Sequence, residues 1–493
     1  MSDEIRSDPP ITPMEPASGP PTTPMEPAAD TLTVTPTTPV AGEIEAWNRR
    51  LERRVLAPRR ASAPGYWLWL GGLLVVIAWG TIAFGYQLSN GLYVTAMRDR
   101  ASWGLYITAF VFFIGISHAG TLISAILRVS NATWRTPVTR IAESITVVAL
   151  VVGGLMVLVD MGQPVRLYQL WINGNWQSPL MWDMMAITIY LTGSVIYLLV
   201  PMVPDLALFR DKLRGRVPRI QSWVYDTLSF GWNGSSVQKR ALVRSVGVLM
   251  VLIIPIAVSV HTVVSWIFAM TLRVSWNSTL FGFFFVTGAI FSGIAALIIV
   301  LAVIRRFYDL GEYITETHFT YLGYLMMTAA LVMIYANASE FVTKGFHAAE
   351  DDLFAFRELF VTDFAPLYWF YFFGGLIVPV LIIAFKRTRT VAGLVVASSL
   401  VLAAMFIERY FIVVAGLRVP LMPYEPYDYF PNWVEWSVFA GAAALFLFLL
   451  TLFIRFFPVL AVWEMKDEHE ERLALTPTPP EPVATPELAL EAR

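Results

Sequence analysis

The chain has 493 residues, of which 56% are hydrophobic and 15% charged, and its 35 Lys and Arg against 37 Asp and Glu leave a net charge of −2. A soluble surface is about a quarter charged, and the charges here crowd towards the two ends, so a soluble globular domain, a disordered chain and a nucleic-acid binder are excluded. No cysteine is present, which removes disulfides, thiolate zinc sites and cysteine-ligated iron–sulfur clusters from this chain.

Residues 1–42 are rich in Pro and Thr, and Thr12-Pro13-Met14-Glu15-Pro16-Ala17 recurs as Thr23-Pro24-Met25-Glu26-Pro27-Ala28. Proline at this density blocks helix and sheet, so a disordered cytoplasmic tail is expected. The tail lacks the apolar core of a signal peptide, and insertion is expected to begin at the first internal span. In residues 43–60, Trp47, Leu51 and Val55 recur at i, i+4 and i+8, opposite Arg49, Arg50, Arg53 and Arg54. That pattern predicts a basic amphipathic helix, lying on an anionic membrane surface or simply solvated.

A bilayer core about 30 Å thick needs about 20 apolar residues in a helix. Ten such runs follow, at 65–87, 103–127, 141–160, 183–203, 242–270, 279–304, 319–338, 364–385, 391–415 and 434–457. They are apolar on all sides, without the alternation of barrel strands, and therefore predict an all-α polytopic membrane protein with ten transmembrane helices. Alternate connections are basic: Arg49 to Arg60, Arg128 to Arg140, the 204–241 segment, Arg305-Arg306 and Lys386 to Arg389. The 339–363 connection is acidic. Both termini are accordingly expected in the cytoplasm.

A repeat links spans two and six. Trp103 precedes Gly115 and Gly120 at the spacing with which Trp276 precedes Gly288 and Gly293. Both spans run in one direction, so the repeats would be parallel and four helices long. At the position equivalent to His118 the second copy has Phe291.

Ionisable residues inside spans are costly and mark functional hypotheses. His118 lies mid-span, Glu143 near the inner end of span three, Asp160 at its outer end, and Asp183 at the start of span four. His261 lies in span five, Glu340 closes span seven, and Glu408-Arg409 are adjacent in span nine. Asp160, Arg166 and Asp183 share the outer connection and are expected close together. A histidine with neighbouring carboxylates accepts protons near neutral pH, which suits a quinol that loses two protons with two electrons. Each has a structural alternative: an interhelical hydrogen bond for His118, helix-end electrostatics for the aspartates, pairing with Arg140 or Arg135 for Glu143, and local neutralisation for Glu408-Arg409. Two b-type haems need four deep imidazoles, and only His118 and His261 are deep.

The run Gly115-Ile116-Ser117-His118-Ala119-Gly120-Thr121-Leu122-Ile123-Ser124-Ala125-Ile126-Leu127 resembles the second-helix signature of the NrfD/polysulfide-reductase membrane-anchor family. So do Trp134-Arg135, Arg140-Ile141-Ala142-Glu143 and Ser178-Pro179-Leu180-Met181-Trp182-Asp183. The stretches Ser259 to Trp266 and Gly288 to Gly293 narrow the resemblance to the larger, quinol-oxidising NrfD-like subunit of bacterial alternative complex III; its sister NrfD-like subunit shares the fold. The likeness covers about residues 65–460. It implies two four-helix bundles plus two extra helices, divided here as 61–203 and 242–385 with the extra pair in 386–463. The basic loop 204–241 and a cytoplasmic tail 464–493 complete the division.

The resemblance further implies a (mena)quinol site at His118, Asp160 and Asp183, towards the periplasmic side of a bacterial plasma membrane. The loop after Asp160 reads Met161-Gly162-Gln163-Pro164 and departs from the family pattern, leaving Arg166 to supply the cation. A proton path through Glu143, His261 and Glu340 would accompany the site. No cofactor is expected on the chain itself. Electrons would pass to an iron–sulfur subunit and then to multihaem and monohaem cytochrome c subunits, beside a second NrfD-like membrane subunit. The rival readings are the sister NrfD-like subunit with a proton-translocating or structural role, a secondary transporter, and a purely structural anchor.

Overall fold

Uniformly apolar runs must satisfy their backbone groups internally, and in the computed structural model each of them is helical. The structure describes residues 38–56, 64–271, 273, 275–346, 348–419 and 427–475. These residues contain no strand, only an isolated bridge between Arg98 and Ala101. Helix α1 spans Thr38–Leu56, α2 Pro64–Asn90, α3 Leu105–Val129, α4 Thr136–Asp160, α5 Tyr168–Asn173 and α6 Pro179–Leu199. They are followed by α7 (Val203–Leu213), α8 (Arg219–Leu228), α9 (Ser236–Ala269), α10 (Phe281–Phe307), α11 (Glu316–Phe346) and α12 (Glu350–Phe360). The last are α13 (Ala365–Trp369), α14 (Val378–Ala384), α15 (Val391–Arg418), α16 (Trp433–Phe456) and α17 (Val462–Leu475), with a π-helical segment Phe370–Ile377 between α13 and α14. Ten spans among them are long and apolar enough to cross a membrane. The chain divides between Glu43 and Ile44, and all ten spans belong to the second unit.

The packing corrects the division drawn from chain order. Helices α3, α4, α6 and α9 close one four-helix ring, and α10, α11, the π segment with α14, and α15 close another. The rings therefore comprise spans two to five and six to nine, and the extra pair is the first and last span, α2 with α16. Close approach explains the pairing: a Cβ on Gly80 of α2 would lie 2.7 Å from Gly441 Cα of α16. In lipid, small residues of this kind select partners because apolarity does not. Both rings begin at a repeat tryptophan, and Trp103 stacks on Trp276 with ring centroids 5.7 Å apart.

The ends also differ from expectation. Residues 1–37 and 476–493, with most of the Pro/Thr tail, lie outside the described residues. The amphipathic helix is present as α1, but its apolar stripe is spent on protein: Leu51 is fully buried, and Trp47 stacks on His469 at 4.1 Å. Residues 464–475, expected to be tail, form most of α17, whose Lys466 bonds Glu52 of α1 at 2.6 Å.

Candidate functional site

Two glycines set the position of α3. A Cβ on Gly120 would collide with the Ala142 carbonyl of α4, and one on Gly293 of α10 would sit 2.5 Å from the Ala119 nitrogen. Wedged between α4 and α10, α3 turns His118 towards α9. There His118 Nε2 donates to the Ala257 carbonyl at 2.8 Å, which leaves Nδ1 as the acceptor. His261 stands beside it, ring centroids 3.8 Å apart and planes at 63°. Both imidazoles are fully buried, and neither His261 nitrogen has a hydrogen-bond partner among the described residues.

From this pair a polar column runs along α3. His118, Thr121, Ser124 and Arg128 recur at helical spacing and so share a face. Tyr190 on α6 packs against His118 at 5.5 Å and donates to Thr121 Oγ1 at 3.1 Å. Thr146 on α4 donates to the Ser117 carbonyl and accepts from the Thr121 nitrogen. One turn further, Ser124 donates to Glu143 at 2.8 Å and lies 3.3 Å from the Tyr197 hydroxyl. Arg128 then sits 3.6 Å from Glu143 and 2.9 Å from Glu464 of α17. Arg135 also reaches Glu464, at 2.8 Å. Burial pushes the Glu464 carboxyl up, but Arg128 and Arg135 outweigh it and hold it below the ordinary carboxylate value. Glu143 thus contacts Arg128 and Ser124 directly, with Arg140 within electrostatic range. Arg140 pairs instead with Asp205, at 3.2 Å.

The remaining candidates fall into separate surroundings. Asp183 is buried on α6, two helical turns before Tyr190, with one carboxylate oxygen unpartnered among the described residues. Asp160 ends α4 within electrostatic range of Glu435 on α16 and Tyr106 on α3. Arg166 is exposed on the 3-10 turn Pro164–Leu167 and makes no ion pair with Asp160 or Asp183 among the described residues. Among the described residues, Asp160, Arg166 and Asp183 share no ion pair or hydrogen bond, and the turn carries Arg166 to the surface. Glu340 accepts from Ser278 at 2.6 Å and pairs with Lys344 at 2.8 Å. Glu408 and Arg409 pair with each other.

Comparison with known proteins decides the family. Residues 93–420 match the family described as polysulphide reductase, NrfD. The chain belongs to the NrfD family. This NrfD chain is 30% identical over 337 residues to a Halobacterium salinarum protein described as a dimethyl sulfoxide reductase membrane subunit, covering 67% of the chain and 72% of the relative. It is 24% identical to a selenate reductase subunit of Mesobacillus selenatarsenatis, over 81% of the chain and 95% of the relative. It is 23% identical to the integral membrane subunit of menaquinone reductase of Nitratidesulfovibrio vulgaris, over 81% and 93%. The family is the one its second-helix motif resembles, and these relatives do not single out alternative complex III.

Several members of the column escaped the sequence reading. Tyr190 and Tyr197 look like ordinary aromatic content until their spacing from Asp183 is followed along α6. Glu464 lay in an apparent tail. Glu435, fully buried, sits in the N-terminal turn of α16, where Asn432 three residues earlier marks a capping box.

Proposed function

We propose that this chain is the integral membrane subunit of a quinol:acceptor oxidoreductase of the alternative complex III kind. It binds menaquinol near the periplasmic ends of α3, α4 and α6, and its quinol becomes quinone with release of two electrons and two protons. Asp183, Asp160 and His118 receive the protons, with Arg166 at the rim, and the α3 column routes them onward through Glu143. His261 and Glu340 belong to the proton path. Electrons leave to an iron–sulfur subunit and then to cytochrome c subunits, because this chain has no cysteine to hold a cluster. The protein sits in a bacterial plasma membrane with both termini cytoplasmic, beside a second NrfD-like subunit.

One observation carries the reading: a buried histidine pair at mid-helix, followed along the same face of α3 by the Thr121–Tyr190 and Ser124–Tyr197–Glu143 clusters and then by an ion-paired helix end. A static anchor has no need of such a column, whose buried polar groups are expensive in lipid. The names of the relatives support a reductase or quinone partner. The contact distance of the two imidazoles also argues against an iron between them, since each nitrogen would need about 2 Å to a metal.

A second reading makes the chain the sister NrfD-like subunit, which conducts protons without quinol. The separate surroundings of Asp160 and His118 favour it. A secondary transporter fits less well, because Phe291 replaces the histidine in the second ring. Purification through a tag on this chain separates the readings. Iron–sulfur and haem c subunits should co-purify, and the complex should oxidise menadiol, with turnover falling in Asp183→Asn. A complex that oxidises menadiol equally well in Asp183→Asn and Asp160→Asn would remove the quinol site from this ring.

A further inference from the structure

Arg409 is almost completely buried at the seam between the two rings. The first glycines of the repeat face its guanidinium from both sides. A Cβ on Gly115 of α3 would lie 3.9 Å from Arg409 Nη2, and one on Gly288 of α10 would lie 2.8 Å from it. A side chain at Gly288 would thus collide with the guanidinium, while its repeat equivalent Gly115 lies at ordinary contact distance on the other side. The guanidinium also stands over Phe285 at 5.4 Å. Its titratable neighbours are Glu408 on its own helix, His261 from α9 and Tyr371 from the π segment. Among the described residues, α3 presents Gly115 at this level, and α10 presents Gly288 and Phe285.

Polar groups approach this cation from opposite directions. On the first-ring side lies the His261–His118 pair and the column to Glu464. On the second-ring side, Tyr371 accepts from Asn337 Nδ2 at 2.8 Å. Asn337, Glu340 and Lys344 line a cavity of about 110 Å³ closed by α12. The two columns, one in each ring, have Arg409 at their junction. The junction also includes the π-helical turn, a local rearrangement that often marks a functional site.

We propose that Arg409 is a positioning residue, a fixed cation that holds the two polar columns apart and stops protons from passing directly between Tyr371 and His261. A second positive charge beside a guanidinium is opposed strongly where the dielectric is low, and an arginine in a water pore excludes protons on the same principle. Glu408 offsets the cost of burying the guanidinium. The physiological use of this lock rests on the proton-routing role proposed above, but its test does not.

The test uses the purified complex in lipid vesicles, without quinol, after an imposed pH step. The double variant Glu408→Gln/Arg409→Met removes both charges with little change in volume, so no unpaired carboxylate is left in the seam. Its proton gradient should collapse roughly tenfold faster than wild type, while Arg409→Lys, which keeps the charge, should stay near the wild-type rate. Decay at the wild-type rate in the double variant overturns the proposal. So does a leak accompanied by loss of trapped glucose, which marks a collapsed seam rather than an opened route. A wild-type complex inactive on menadiol would count against the quinol reading alone, because the leak is measured without it.

Discussion

His118 and Phe291 occupy equivalent places in the two repeats, and both are fully buried. A phenyl ring therefore suits this kind of helix seam. His118→Phe loses one hydrogen bond, to the Ala257 carbonyl, and leaves no buried charge behind. The variant should insert and assemble at wild-type level. Menadiol oxidation per assembled complex should fall by at least tenfold, on the ~10²–10⁴-fold scale of a lost general base. Full turnover in assembled His118→Phe would move the chemistry elsewhere. At this scale His118, His261, Glu143 and Asp183 were visible in the sequence because charge or imidazole in an apolar run stands out. The tyrosines of the column were not, since a phenol in a membrane helix is unremarkable until its hydrogen-bond partners are known. Between Asp160 and Arg166 the chain turns at Gly162, at φ 69°, and enters the 3-10 turn on which Arg166 is exposed.

Among the elements, α17 is the one whose role changes most. Its Glu464 joins Arg128 and Arg135, its Trp463 nitrogen donates to Asp205 at 3.0 Å, and its Lys466 reaches α1. Four helices, α1, α3, α4 and α7, are thereby tied near their ends to one short helix. Removing one partner of a buried ion pair costs about 3–5 kcal/mol, so Glu464→Gln should lower the unfolding midpoint of the detergent-solubilised complex. The pH dependence has a definite sign. The folded carboxyl lies below its ordinary value, so its contribution is complete above the unfolded pKa and is lost as pH falls through the folded one. The stability gap between wild type and Glu464→Gln should be constant near neutral pH and shrink below the usual carboxylate range. A gap that widens on acidification would contradict the pairing. Helix α1 teaches a related lesson: its stripe of Trp47, Leu51 and Val55 serves a membrane surface or a protein groove equally well.

At the scale of the whole molecule, the alternation of basic connections argues for both termini inside and α12 outside. The absence of native cysteine makes this directly measurable. Single cysteines at exposed positions, Lys212→Cys in α7 and Asp351→Cys in α12, can be challenged with a membrane-impermeant maleimide. Asp351→Cys should label in intact spheroplasts, and Lys212→Cys only after permeabilisation. The reverse pattern would invert the protein and place the proposed quinol site on the cytoplasmic side.

The all-α class, the ten spans and their approximate ends are properties of the sequence by itself, because crossing a bilayer depends on local length and apolarity and on nothing distant. The repeat of Trp103 and Trp276 with their glycines was equally local. Ring membership, the meeting of His118 with His261, the pairing of Arg128 with Glu464, and the seat of Arg409 between Gly115 and Gly288 were decided only by the tertiary structure. Spans that are apolar on every side carry no stripe to announce which face meets which neighbour. In lipid that choice falls to close approach at small residues and to the few buried polar groups that must find partners, and those partners lie on other helices, far away in the chain.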